Sequence, residues 1–340
     1  MYRRFLPLPF LLLSAASCGS ERPPQEQALL DVKSYIQTNL DELHSAVVEL
    51  QKDAPAPDAD GWNATQDAAA VQKMKADWRR ARIAYEHVEG AIAILFPELD
   101  VSTDQRYDGF IATGPDDDLF DDEGVTGIHA AERVLWSDSI PQRVMEFEKG
   151  LPYYQPAAFP SNENQAREFK ELLLTRLVAD VRMMKAQFAP LALDTSAAFR
   201  GVIGSMGEQV EKANKAASGE EESRYAQYTL ADMRANVEAG ISIYGYFKPW
   251  LLEQPGGKEQ DARIAAGFQR VQERYASLTG DALPEVPATW SSAKPSAQDL
   301  STPFGQLYQV LVTESDPDAT GSLVSEMNTS ADLLGIPRLP

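Results

Sequence analysis

A long stripe of apolar residues with helical spacing constrains the fold of this chain more than any other feature of its sequence. The stripe consists of Val71, Met74, Trp78, Ala81, Tyr85, Val88, Ile92 and Leu95, in steps of three and four residues. This spacing places the side chains on one face, and it predicts a single bundle helix over some 25 residues. No stretch of the chain shows the two-residue alternation of a half-buried strand. The sequence therefore predicts an all-α protein.

Similar stripes along the rest of the chain predict two groups of helices. Four long helices are expected before Pro190, and four or so follow it. We therefore expect two four-helix bundles packed together, an N-terminal bundle over residues 28–192 and a C-terminal bundle over residues 193–340. In the second bundle, a helix is expected from Glu220 to Phe247.

The N-terminus has the organisation of an export signal. Two arginines precede an apolar run over residues 5–13, and small residues then lead to Cys18. This order resembles a bacterial lipoprotein signal, in which the cysteine becomes the lipidated first residue; an ordinary signal peptide with an incidental cysteine is the alternative. We therefore expect residues 1–17 to be removed, residues 18–27 to form a tether, and the mature chain to be extracytoplasmic and anchored by a lipid on Cys18.

Composition excludes several classes of function. Cys18 is the only cysteine, so the mature chain has no disulfide, no second thiolate ligand and no cysteine nucleophile beyond that position. The net charge of -20 argues against a nucleic-acid partner, because phosphates would be repelled; it suits a protein that binds cations, but it also suits a protein that is merely soluble. Three histidines are too few for a histidine-rich zinc centre, and the HExxH motif is absent.

The segment from Gly127 to Glu132 contains a pair of residues suited to bind a metal. His129 and Glu132 lie three positions apart and would share one face of a helix, which we expect to run to about Lys149. Ten acidic residues precede this helix, in a predicted loop over residues 97–123. A solvated surface pair and a solvated acidic loop are the alternative interpretation.

A second acidic pair, Glu86 and Glu89, lies near the C-terminal end of the apolar stripe. The helix dipole disfavours carboxylates at that end, so a bound cation would explain them; two solvated flanking residues are an equal alternative. Together with Asp104, His129 and Glu132, they would supply one nitrogen ligand among several oxygens. Such a set suits iron or manganese, and less specifically zinc or calcium.

Three blocks of sequence, taken in order, resemble the imelysin-like family and, within it, the EfeO/EfeM iron-uptake proteins. The blocks are Gly127-Ile128-His129-Ala130-Ala131-Glu132 with Leu135-Trp136, Tyr85-Glu86-His87-Val88-Glu89 with Asp104-Gln105-Arg106, and Gly219-Glu220-Glu221 with Arg224-Tyr225 and Asp232. The resemblance implies a two-bundle fold that captures iron, with zinc or copper as alternatives, for an uptake system with an iron permease and a haem peroxidase. It also implies a set of metal ligands, namely His129, Glu132, Glu86, Glu89 and Asp104, with Glu211 as a further candidate.

The chain departs from the family pattern over residues 225–229, where a histidine and an aspartate of the family are missing. This departure argues against a second metal position built from them. Two other functions stay open. The chain could be a zinc-dependent peptidase that uses His129 and Glu132, or a lipoprotein that binds a polysaccharide through a bridging cation. The shortage of histidines argues against the peptidase, so a metal-binding protein is favoured over an enzyme.

Overall fold

A computed structural model describes residues 22–63 and 65–337, and these residues form helices and no strand. The all-α prediction is therefore confirmed. The predicted signal peptide and Cys18 lie outside the described residues. In chain order the helices are α1 (Pro24–Asp53), α2 (Ala68–Glu86), α3 (Glu89–Leu95), α4 (Pro97–Asp104), α5 (Tyr107–Ile111), α6 (Gly127–Leu135), α7 (Gln142–Lys149), α8 (Glu163–Glu168), α9 (Leu174–Phe188), α10 (Thr195–Ser218), α11 (Thr229–Leu252), α12 (Gly257–Ala276), α13 (Ala297–Leu300), α14 (Pro303–Ser315) and α15 (Leu323–Leu333). A π-helical turn, Phe169–Leu173, joins α8 to α9.

The helices form two packed groups. In the first, α1 packs against α2 and α9, and the short α6 packs against both α2 and α9. In the second, α10 packs against α11 and α14, and α12 packs against α15. Buried apolar side chains from both groups form one continuous core, because α11 also packs on α1 and α2, and α10 packs on α3. The domain boundary between residues 192 and 193 stays a prediction.

The helix predicted over residues 71–95 is divided in two. Its apolar stripe is buried as expected, with Trp78 and Tyr85 fully covered. However, α2 ends at Glu86, and α3 begins at Glu89 after Val88 leaves the helical region with φ -125°. The apolar period continues across the break, which is why the sequence did not reveal it. Contacts between α3 and α10, which are remote in sequence, accompany this break.

Three other segments differ from their predictions. The acidic loop contains α4 and α5, and Pro97 begins α4 at a position where its missing N–H costs no hydrogen bond. The helix expected to reach Lys149 ends at Leu135, and α7 begins only after Pro141. The predicted tether is helical from Pro24 onward, and proline again occupies a first helical position.

The helix expected from Glu220 begins at Thr229 instead. The residues before it form a turn in which Gln227 adopts a positive φ of 53°, a conformation that no helix interior tolerates. At the other end, α11 continues past Pro249 to Leu252. None of the helices in the described part of the chain has the length and apolarity that crossing a bilayer requires.

Candidate metal centre

A buried cluster of charged side chains lies where the two groups of helices meet. Its members are Arg82, Glu86, Glu89, Asp104, His129, Glu132, Lys212, Glu222 and Asp232, and we call this set the charged cluster. These residues come from α2, α3, α4, α6, α10, the turn before α11, and α11 itself. Their assembly therefore depends on packing between elements that are remote in sequence.

Gly127 allows α6 to approach α4 closely enough to bring His129 beside Asp104. Its φ of 89° favours glycine, and a Cβ at this position would lie 2.4 Å from the carbonyl oxygen of Thr103. On the other side, the indole Nε1 of Trp78 donates a 2.8 Å hydrogen bond to the carbonyl oxygen of Ile128. The beginning of α6 is thus held between α2 and α4.

Glu132 orients the His129 ring. The imidazole Nδ1 lies 2.7 Å from Oε2 of Glu132. The other carboxylate oxygen, Oε1, accepts hydrogen bonds from the backbone N–H groups of Tyr225 and Ala226, at 2.9 and 2.8 Å. Both oxygens of this fully buried carboxylate are therefore engaged. The pair predicted from sequence is formed, but Glu132 holds the imidazole and the turn before α11.

The second nitrogen of His129 faces Asp104. Its Nε2 lies 3.3 Å from Oδ1 of Asp104, and it has no hydrogen-bond partner with good alignment. Burial alone would lower the pKa of His129, but the neighbouring carboxylates of Asp104 and Glu132 raise this pKa to about 9. An incoming cation would therefore displace a proton from Nε2.

Glu222 completes a set of three donor groups. One ligand atom each from Asp104, His129 and Glu222 lies within 4.8 Å of the other two, and we call these residues the donor triad. The Oε2 atom of Glu222 is buried and makes no hydrogen bond with good alignment, although Lys212 Nζ lies 2.6 Å away. The nearby charges of Lys212 and Arg82 overcome the effect of burial and hold the pKa of Glu222 well below its usual range.

Sequence reasoning missed Glu222. The run of three glutamates at residues 220–222 was a signal, but nothing local distinguishes its members. In the structure, Glu221 pairs with Arg143, and Glu220 accepts a hydrogen bond from Ser218, whereas Glu222 reaches the charged cluster. The turn before α11 decides which glutamate reaches the charged cluster.

Arg82 is the positive centre of the charged cluster. Its side chain is fully buried and contacts Glu86 and Asp104, and it lies 3.0 Å from Glu222 and 3.4 Å from Asp232. A guanidinium suits this role because it presents five N–H donors in a rigid plane. It neutralises part of the buried negative charge.

Lys212 pairs with Glu86 and Glu89 beside the donor triad. Its Nζ atom lies 2.9 Å from Glu86 Oε1 and 3.0 Å from Glu89 Oε2. Asn236 also donates to Glu89, at 3.0 Å. In the structure, an ammonium group of the chain therefore lies beside the two carboxylates that the sequence predicted as metal ligands.

Comparison with known families identifies the fold. Residues 36–307 match the family model described as Imelysin. The chain belongs to the imelysin family. The matched region of the imelysin domain contains the whole charged cluster. A comparison with curated proteins gives no match.

A cleft of about 340 Å³ in the imelysin domain is lined by two members of the donor triad, Asp104 and Glu222. Six carboxylates and three basic side chains line this cleft, namely Glu89, Asp100, Asp104, Glu208, Glu211, Glu222, Arg106, Lys212 and Lys215. Glu211, a predicted ligand, has a half-exposed side chain and pairs with Lys215, one turn away on α10. It is not among the groups whose ligand atoms converge within 4.8 Å of one another. The excess of carboxylates makes the cleft attractive to cations.

The charge of Glu208 makes the stability of the imelysin domain depend on pH. Burial and the charge of Glu89 raise the pKa of this carboxyl from 4.5 to about 7. The folded state therefore binds this proton more tightly than the unfolded state. The resulting contribution to the free energy of unfolding is fully present below pH 4.5 and is lost as the pH rises through about 7.

We expect Glu208→Gln to raise the free energy of unfolding by roughly 1–2 kcal/mol at pH 8 and to leave it unchanged at about pH 4. Urea unfolding at the two pH values measures this difference. Glu211→Gln, one turn along α10 and half exposed, is the matched control and should change little at either pH. An equal effect of Glu208→Gln at both pH values would contradict the role of its charge.

Proposed function

We propose that this member of the imelysin family is an extracytoplasmic metal-binding protein of the EfeO/EfeM type, with iron as its cargo. The lipid on Cys18 would hold it at the membrane, and the ion would pass to an iron permease that works with a haem peroxidase. Zinc or copper are the alternative ions.

One observation carries this proposal. Asp104 and Glu222 of the donor triad line an acidic cleft, and two buried donor atoms of the triad, His129 Nε2 and Glu222 Oε2, make no well-aligned hydrogen bond. Buried polar atoms are rarely left without such partners, and a bound cation would use both. The donor set fits iron, because one imidazole and two carboxylates suit this ion better than they suit soft metal ions, which prefer thiolate ligands.

The charge of the site favours a particular form of the cargo. In the charged cluster, six carboxylates face Arg82, Lys212 and His129, so negative charge is in excess even with the histidine protonated. The cleft has the same excess of carboxylates. A free or hydrated cation is therefore attracted, whereas an anionic iron chelate is repelled.

The test is a titration of the full chain with Fe²⁺ under anaerobic conditions, with Fe³⁺ and Zn²⁺ in parallel. We expect one iron per chain, and we expect His129→Ala to weaken binding by at least about 100-fold. Glu222→Gln should also weaken it. His44→Ala is the matched control, because His44 lies on α1 and outside the charged cluster. Iron binding by His129→Ala equal to that of the unmodified chain would refute the proposal.

The peptidase alternative finds less support in the geometry. A zinc peptidase needs a carboxylate that is free to act as a base toward bound water. Glu132 engages one oxygen with the His129 ring and the other with two backbone N–H groups. The other two histidines, His44 and His87, are not part of the charged cluster. We therefore propose binding of a metal rather than hydrolysis.

A further inference from the structure

We infer that the ammonium group of Lys212 occupies a second cation position beside the donor triad and thereby limits this chain to one bound ion. This inference rests on the proposed function for its first ion. It assigns Glu86 and Glu89 a different partner from the one that the sequence indicated, and it makes Lys212 the residue that determines how many ions the cluster accepts.

The surroundings of Lys212 are those of a metal ion. Its Nζ atom lies within 3.0 Å of both oxygens of Glu86, 3.0 and 3.3 Å from the oxygens of Glu89, and 2.6 Å from Glu222. Only 2% of its side chain is exposed. Three carboxylates converging on one buried point is how proteins bind hard cations, and here a tethered ammonium stands at that point.

Glu222 is shared between the two positions. It belongs to the donor triad with Asp104 and His129, and it also contacts Lys212. Ligand atoms of Glu86 and Glu222 already lie within 4.8 Å of each other, and both carboxylates reach Lys212, whereas Asp232, the third member of that group, faces Arg82. A second ion could therefore use oxygens that are in place, provided that the ammonium were removed. While Lys212 is present, its charge and volume exclude that ion.

A buried cation with three carboxylates also has a structural role. Without Lys212, the charges of Glu86 and Glu89 would be buried with less compensation, and such groups are costly until a counter-ion or protons neutralise them. Removal of the ammonium should therefore have two linked effects. The metal-free protein becomes less stable, and added metal restores more stability than it gives the unmodified chain.

The experiment uses the full chain with Lys212→Met, which keeps a side chain of similar length without its charge. We expect the metal-free variant to have a lower Tm than the unmodified chain. We expect its bound iron, measured by titration and metal analysis, to rise from one ion per chain to two. Lys215→Met is the matched control, because Lys215 lies one turn further on α10 at the rim of the cleft. That control should keep one ion and an unchanged Tm.

A second variant covers the case in which Lys212→Met does not fold without metal. Lys212→Gln is also uncharged, but its amide can donate a hydrogen bond to one of the carboxylates, and it should likewise bind two ions. A stoichiometry of one in the folded variants would overturn the inference while leaving the proposed function intact. If the unmodified chain binds no ion, the proposed function fails. In that case, the inference about Lys212 is still supported if the Lys212 variants bind an ion that the unmodified chain does not bind. If none of the variants binds an ion, the inference is overturned as well.

Discussion

Arg82→Met is expected to lower the free energy of unfolding by about 3–5 kcal/mol, because it removes a buried guanidinium that four carboxylates share. Glu86 and Asp104 contact this group directly, and Glu222 lies 3.0 Å away. Methionine fills a similar volume but offers no charge and no N–H donor. Chemical denaturation of the metal-free protein at neutral pH measures the loss.

Arg80→Met is the matched control for this prediction. Arg80 lies two residues earlier on α2, its side chain is 45% exposed, and it pairs with Glu42 and Asp77 near the surface. Such exposed pairs contribute about 0–1 kcal/mol, so this variant should unfold close to the unmodified chain. If the two variants were equally stable, the charged cluster could not depend on Arg82 as its geometry indicates.

Glu132→Ala is expected to reduce both stability and iron binding. The change leaves the backbone N–H groups of Tyr225 and Ala226 without an acceptor in a buried site, at a cost of about 2–4 kcal/mol. It also removes the carboxylate that orients the His129 ring and anchors the turn that carries Glu222. The three ligand atoms of the donor triad should then no longer converge. Glu146→Ala on the exposed face of α7 is the control, and it should stay within about 0.5 kcal/mol of the unmodified chain.

Glu132→Gln separates the two roles of this residue. Its amide oxygen can still accept from Tyr225 and Ala226, so stability should fall by less than in Glu132→Ala. Its NH₂ group then donates a hydrogen bond to Nδ1 of His129. Because Nδ1 must accept this bond, the proton of the neutral ring moves to Nε2. The nitrogen that faces the donor triad would lose its lone pair, and iron affinity should fall by about 10–100-fold. Iron titration and urea unfolding of the same preparation give both quantities. Unchanged affinity would mean that Glu132 does not control the ring.

Much of the helical framework could be predicted because helical periodicity is a local property. The stripe from Val71 to Leu95 gave the correct buried face, and the imelysin blocks led to His129 and Asp104. Two breaks in the helices could not be predicted, because they leave no signal in the local sequence pattern. The break between Glu86 and Glu89 does not interrupt the apolar period, and the turn before α11 contains no proline or glycine after Gly219 to mark it.

The sequence by itself determined that this chain is helical, acidic and equipped with a histidine and many carboxylates in a few short blocks. Only the tertiary structure decided which of these groups meet. Glu86 lies 126 residues from Lys212, and Glu132 lies 93 residues from Tyr225. A carboxylate becomes a metal ligand, an anchor for a backbone turn or the partner of a lysine according to what packs against it. Local spacing reports helix faces, but it carries no information about which face of a distant helix supplies that partner.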